Sequence, residues 1–322
     1  MRAVRLSGIP HAAIATIVGA VCASGASAVG PTVELPAGGL VFPAQDKVQV
    51  EREELTIGID RIEITYLLRL IEQRRFSVAV AFPLPLIDMA ALSGHEVAIP
   101  AYDPANPTNY VGFWTLVDGQ PVEPEADVRA LAAGHIDVTQ RLIELGLPLY
   151  PQATDLPEKL ADLPTATRED LADASILTVA DGTASPLWAL QTVFHWRMSI
   201  EPQKQVTVQH RYQPVAGSAP WSAELAATAR TKYCLSADDS ASLDRRAVNG
   251  KPPTVYWIHF HPSSNSWIKG ASETFRLTID KGNAGAIAAT CVPGLKAASA
   301  TTLEWATTDR VDDADIDILF VE

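Results

Sequence analysis

His259 and His261 stand two residues apart in the run Val255-Tyr-Trp-Ile-His-Phe-His261. On an extended strand, alternate side chains share a face, so both rings can reach one point. Imidazole is the commonest ligand for zinc and copper, and this spacing is the start of a metal site. A third ligand is required, and His210 or His195 is the candidate. The alternative is that Ile258 and Phe260 fill the core while both histidines face water. Tyr256, Trp257 and Trp267 offer a different chemistry, an aromatic surface for a sugar, a peptide or an envelope polymer. The same residues also suit the core of a β-sandwich.

Other catalytic patterns are missing. The chain has no Gly-x-Ser-x-Gly elbow and no His-Glu-x-x-His, since His95-Glu96 lacks the second histidine. It has no glycine loop built to cradle phosphate. The acidic run Asp309, Asp312, Asp313, Asp315 and Asp317 lacks the glycine and terminal glutamate of a calcium loop. It reads as a solvated edge that discourages edge-to-edge aggregation. The reading leans away from an enzyme. No cofactor is expected, with zinc or copper at His259, His261 and His210 held open.

The elements that position these residues read mainly as strands. Val48 to Ile59 and Ile62 to Tyr66 alternate apolar and polar side chains. Phe76 to Phe82 is a stronger strand, ended by Pro83 and Pro85. Leu187 to Ile200 and Gln205 to Tyr212 read as a hairpin around Glu201-Pro-Gln-Lys204. Strands are also expected at Val255–His261, Phe275–Ile279, Thr302–Ala306 and Asp315–Val321. Between residues 122 and 186 the spacing changes. Val128, Leu131 and Ala132 recur at helical intervals, as do Ile136, Ile143 and Leu147, with Gly146 as a stop. Thr167 and Asp170 resemble a capping box. The fold class is all-β, mainly β with a small helical insertion. Two β-sandwich-like units are expected at 29–121 and 187–322, with a partly helical insertion at 122–186. A weak echo links Tyr66-Leu-Leu-Arg69 to Phe194-His-Trp-Arg197. It fits either two hairpins of similar build or a duplicated unit.

The first 28 residues set the compartment. Arg2 and Arg5 precede a small apolar run from Ala12 to Val21, and Ala26-Ser-Ala28 supplies a small-x-small cleavage site after Ala28. That is the plan of a secretory signal peptide. A membrane anchor needs about 20 apolar residues, more than this run has. A lipoprotein at Cys22 is disfavoured by Val21. The expected location is periplasmic or secreted, with no stable membrane insertion after cleavage. Loss of Arg2 and Arg5 takes the formal charge from -13 to about -15. Such a chain should not bind nucleic acid through bulk electrostatics. Its expected partner is an envelope protein, peptide or glycan. Cys234 and Cys291 remain after cleavage, an even pair in an oxidising compartment. A disulfide between them is expected, and two buried thiols are the alternative.

Several segments together resemble a bacterial family known as domain of unknown function 4424. They are Glu34-Leu-Pro-Ala-Gly-Gly-Leu40, Phe82-Pro-Leu-Pro85, Phe194-His-Trp196, His210-Arg-Tyr-Gln-Pro214, Tyr233-Cys234, Asn265-Ser-Trp267 and Phe275 to Lys281. The resemblance implies an exported protein of Gram-negative bacteria. It implies no activity, and it carries no catalytic residue over. The leading expectation is a non-enzymatic binding or envelope-assembly module. The alternative is a metal-binding protein or metal-dependent hydrolase using His259 and His261.

Overall fold

Two strand pairs that look like hairpins in sequence are arches. Ile62–Leu70 and Phe76–Pro83 follow each other in the chain but lie in different sheets, and so do Ala189–Ile200 and Gln205–Tyr212. Ile62–Leu70 pairs antiparallel with Gln205–Tyr212, from Ile62 opposite Tyr212 to Arg69 opposite Gln205. Phe76–Pro83 pairs antiparallel with Ala189–Ile200, from Phe76 opposite Ile200 to Pro83 opposite Val193. The expected hairpin around residues 201–204 is therefore corrected. The physical reason is burial on facing surfaces. A hairpin would set Trp196 and Met198 beside Val206 and Val208 in one sheet. An arch turns the two rows toward each other across a core, where all four residues are buried. The echo between the two segments has the same basis, because each opens an arch and the two arches pair leg to leg.

The computed structural model describes residues 36–37, 48–71, 73–92, 96–98, 106, 108–133, 135–246, 251–260, 274–308 and 315–321. The leader with Cys22 and Ala28, and His95, His261, Trp267, Asp309, Asp312 and Asp313, lie outside them. The described part is mainly β with a small helical part. Its largest sheet has eight strands. Their order is Lys296–Ala297, Thr302–Thr307, Thr274–Asp280, Val48–Gly58, Ile62–Leu70, Gln205–Tyr212, Trp114–Val117 and Gln120–Val122. Thr274–Asp280 runs parallel to Val48–Gly58, with Leu277 opposite Leu55. Strands from 29–121 and 187–322 thus share this sheet, and a boundary at 121 or 187 does not separate one sheet from another.

The segment at 122–186 is partly helical, with two differences from the sequence reading. Glu125–Ala132 is a strand paired with Ala189–His195, where Val128, Leu131 and Ala132 suggested a helix. Ala130 and Ala132 are buried and alternate with more exposed neighbours, so period two fits these residues as well. Pairing with a long central strand decides between the two periods. Helices then run over Thr139–Glu144, Leu156–Asp162 and Thr165–Asp173. Gly146, at φ 67°, follows the first. The capping box at Thr167 and Asp170 does not form, because the third helix already begins at Thr165 behind Pro164. Leu142, Leu156, Leu160 and Leu171 enter the main core.

The six-stranded sheet carries His259 and Asp317. Its order is Ile287–Ala289, Ile316–Val321, Thr254–Phe260, Ala216–Pro220 and Glu96–Ala98, with Pro36–Ala37 joining parallel at His259 and Phe260. Both faces of the two central strands are buried. Ile258, Phe260, Ile316, Ile318 and Phe320 belong to the main core. Val255, Trp257, Leu319 and Val321 belong to a second core. That second core is roofed by Ala223–Lys232 and Ala237–Arg245, two helices absent from the sequence reading. Each starts on a serine cap: Ser222 Oγ accepts from the Leu225 amide and Ser236 Oγ from the Asp239 amide.

Gly217 sits opposite Trp257 across the strand pair. A Cβ there would stand 2.0 Å from the indole ring, so no larger residue fits unless Trp257 leaves its place. Gly217→Ala is expected to destabilise the fold by about 1–3 kcal/mol, read by denaturant midpoint. An unchanged midpoint would contradict this packing.

Candidate functional site

The second core ends where the strands turn polar. Val255, Trp257 and His259 share one face of their strand, as do Asp315, Asp317, Leu319 and Val321 on the neighbour. The register places His259 directly opposite Asp317. His259 Nδ1 lies 2.9 Å from Asp317 Oδ1. An ionised carboxylate only accepts, so Nδ1 carries the proton and donates. The other ring nitrogen, Nε2, stands 3.8 Å from Asp315 Oδ1. His259 is buried and Asp317 half-buried.

A cation reaches the same point from the helix above. Lys232 closes Ala223–Lys232, and a basic residue in a last turn complements the helix dipole. Its Nζ lies 3.7 Å from Asp317 Oδ1 and 5.6 Å from the centre of the Tyr233 ring. Two residues on, Cys234 is bonded to Cys291, with Cα atoms 5.0 Å apart. Cys291 follows Ala289, which pairs with Leu319. The disulfide thus ties the helix end to the sheet beside Asp317. It closes a loop of 57 residues, worth about 4 kcal/mol on chain-entropy reasoning.

These groups border a cleft of about 160 Å³ lined by Lys232, Cys291, Val292, Trp305, Asp315 and Asp317, among others. Trp305 comes from the eight-stranded sheet. It is half-buried, packs edge-on against Phe275 at 5.9 Å, and has Gly294 close behind it. The cleft therefore offers one ammonium, two carboxylates and an indole wall.

The residues singled out in the sequence separate in space. The expected disulfide Cys234–Cys291 is formed. His259 reaches the rim of the cleft's acidic pair. His210 does not join it. It is buried in an aromatic box, with Phe82, Phe113 and Trp196 at 5.1, 5.3 and 5.4 Å between ring centres. Neither of its ring nitrogens has a hydrogen-bond partner among the described residues. Trp257 is a core residue under the helices and not part of a surface, because strand alternation turns it toward the second core. Tyr256 is half-buried against the main core. Among the described residues, no group of three or more His, Cys, Asp or Glu is placed to hold a metal ion. Sequence reasoning missed Lys232 and Trp305, and it read Asp315 and Asp317 as a solvated edge. The serine at 236 with Asp239 three residues on was a helix signal near Lys232 that went unused.

Packed sheets with a charge-bearing cleft at the rim of a second core define a mainly β protein with a small helical part. The chain belongs to the family described as Domain of unknown function (DUF4424), whose model matches residues 28–319. Comparison with curated proteins found no match. Among solved structures, the chain is similar to a protein of Legionella pneumophila described as a "putative nutrient binding protein". Identity is 11%, the TM-score is 0.44, and the match covers 89% of this chain and 72% of that one. It is also similar to an M1 zinc metallopeptidase of Deinococcus radiodurans, at 11% identity and a TM-score of 0.26, over 85% of this chain and 42% of that one. Neither likeness is close enough to speak to function.

Burial alone holds His210 well below its ordinary value of 6.5, at about 3. The unfolded chain takes up this proton near pH 6.5 and the folded chain only near pH 3. His210 therefore favours folding fully above pH 6.5, and that contribution is lost as pH falls through the window between the two values. The expected slope from this group is roughly 1.4 kcal/mol per pH unit inside the window. Denaturation midpoints of the wild type and His210→Leu, taken from pH 7 to pH 4, check this. The variant's profile should be flatter, and parallel profiles would contradict the assignment.

Proposed function

We propose that this chain is an exported, non-catalytic binding protein of the cell envelope, and that its ligand occupies the cleft between Lys232, Trp305 and the Asp315–Asp317 pair. One observation carries the reading. Opposite charges and an aromatic wall converge on a cleft of about 160 Å³, and a covalent bridge braces its two sides. A merely solvated acidic edge needs neither a lysine from a roofing helix nor a disulfide beside it. The leader with its cleavage site after Ala28 supports export, and an oxidising compartment is where such a bridge persists. The volume suits a small molecule, well below the roughly 300–1,000 Å³ typical of drug-sized ligands.

The test has two arms. Cell fractionation with N-terminal sequencing is expected to recover a mature protein starting at Val29 from the periplasm. Thermal unfolding of that protein against a library of small metabolites is expected to yield stabilising compounds, at about 2.7 kcal/mol when the compound is at 100 times its Kd. The stabilisation should disappear in Trp305→Ala. A chain retained in the cytoplasm, or compounds that stabilise wild type and Trp305→Ala alike, would overturn the reading.

A further inference from the structure

We infer that the ligand is a small amino-acid zwitterion, with its carboxylate toward Lys232 and its ammonium toward Asp315 and the Trp305 ring. The inference rests on the proposed binding function and narrows it. Lys232 enters from the end of a helix, and Asp315 and Asp317 from the start of a strand. Lys232 and Asp317 stand 3.7 Å apart, an ion pair longer than a direct hydrogen bond. A ligand carrying both charges satisfies each pole without leaving a desolvated charge behind. A simple amine leaves the lysine without a ligand contact, and a simple carboxylate brings a third negative charge to the aspartates.

The charge count gives the direction. Among the described residues, the charged side chains that line the cleft are two carboxylates, Asp315 and Asp317, and one ammonium, Lys232. The ammonium pole is therefore the one that the site attracts first, and an indole face adds a cation–π contribution. Asp317 is held by His259 at 2.9 Å as well as by Lys232. Asp315 is the more exposed of the two aspartates, 45% against 23%. Asp315 thus stands where a ligand's ammonium can reach it, while Asp317 fixes the position of the lysine. Size points the same way. Val292, Pro293 and Trp305 give the cleft an apolar side against which a short side chain can rest, and among the described residues Thr290 is the one hydroxyl in the lining, fewer than a sugar requires.

Isothermal titration of the mature protein with L-alanine, L-alaninamide, N-acetyl-L-alanine and glucose tests the inference. L-alanine is expected to bind, and removal of either ligand charge is expected to weaken binding at least tenfold. Lys232→Gln should weaken L-alanine binding and leave L-alaninamide unchanged. Asp315→Asn should weaken L-alanine and leave N-acetyl-L-alanine unchanged. Both positions are at the surface of the cleft, and circular dichroism checks that the variants fold. Equal binding of L-alanine and L-alaninamide would overturn the inference, as would unchanged affinity in both variants. Glucose binding that is lost in Trp305→Ala, with no binding of L-alanine, would overturn the zwitterion and leave the binding function standing. If no compound of this set or of the metabolite library binds, both fail.

Discussion

A strand pair with both faces buried is the constraint on which the rest of the site depends. Ile316–Val321 and Thr254–Phe260 send Ile318, Phe320, Ile258 and Phe260 into one core and Leu319, Val321, Val255 and Trp257 into the other. A slip of one residue would exchange the two sets and expose neither to water. It would instead mismatch two packed surfaces at once. The Trp257 indole fits only over a glycine, which pins the register from a third strand. The pairing of His259 with Asp317 follows from that register and needs no separate cause.

The cleft is then a boundary effect. Each central strand leaves the second core at its polar end, and the roofing helix ends at the same level. Without further support, such a helix end would fray, because its last carbonyls lack partners inside the helix. Here the Cys234–Cys291 bridge and the buried Tyr233 hold it down. Lys232 is therefore kept near Asp317 by covalent and apolar restraints more than by their mutual attraction, which is modest at 3.7 Å and partial exposure. A preorganised lysine costs a ligand less ordering than a free one.

Much of the strand content was legible, and some topology was not. Phe76–Pro83, Thr254–Phe260 and Ile316–Val321 carry the residue types of buried or half-buried strands, and all three form. The arches escaped because residues 201–204 have a composition that suits a tight turn equally well, and only the packing of the faces decides between the two. Glu125–Ala132 escaped because small apolar residues at close spacing satisfy both periods. The disulfide was legible from cysteine count and compartment. The cleft was not, because Lys232, Trp305 and Asp315 lie far apart in sequence on a helix, a central sheet and a strand start. His259 stood out as half of a histidine pair, and the fold gives it a carboxylate partner from the neighbouring strand.

The most direct measurement is a titration of ¹⁵N-labelled mature protein with L-alanine, followed by amide and indole resonances, with Trp305→Phe assigning the Trp305 indole signal. The expected result is a saturable shift of that indole and of amides at Lys232, Thr290, Cys291, Val292, Asp315 and Asp317, with the main core around His210 unmoved. Saturable shifts confined to another surface, or no shift at concentrations where other small molecules bind, would contradict the assignment of the cleft as the amino-acid site.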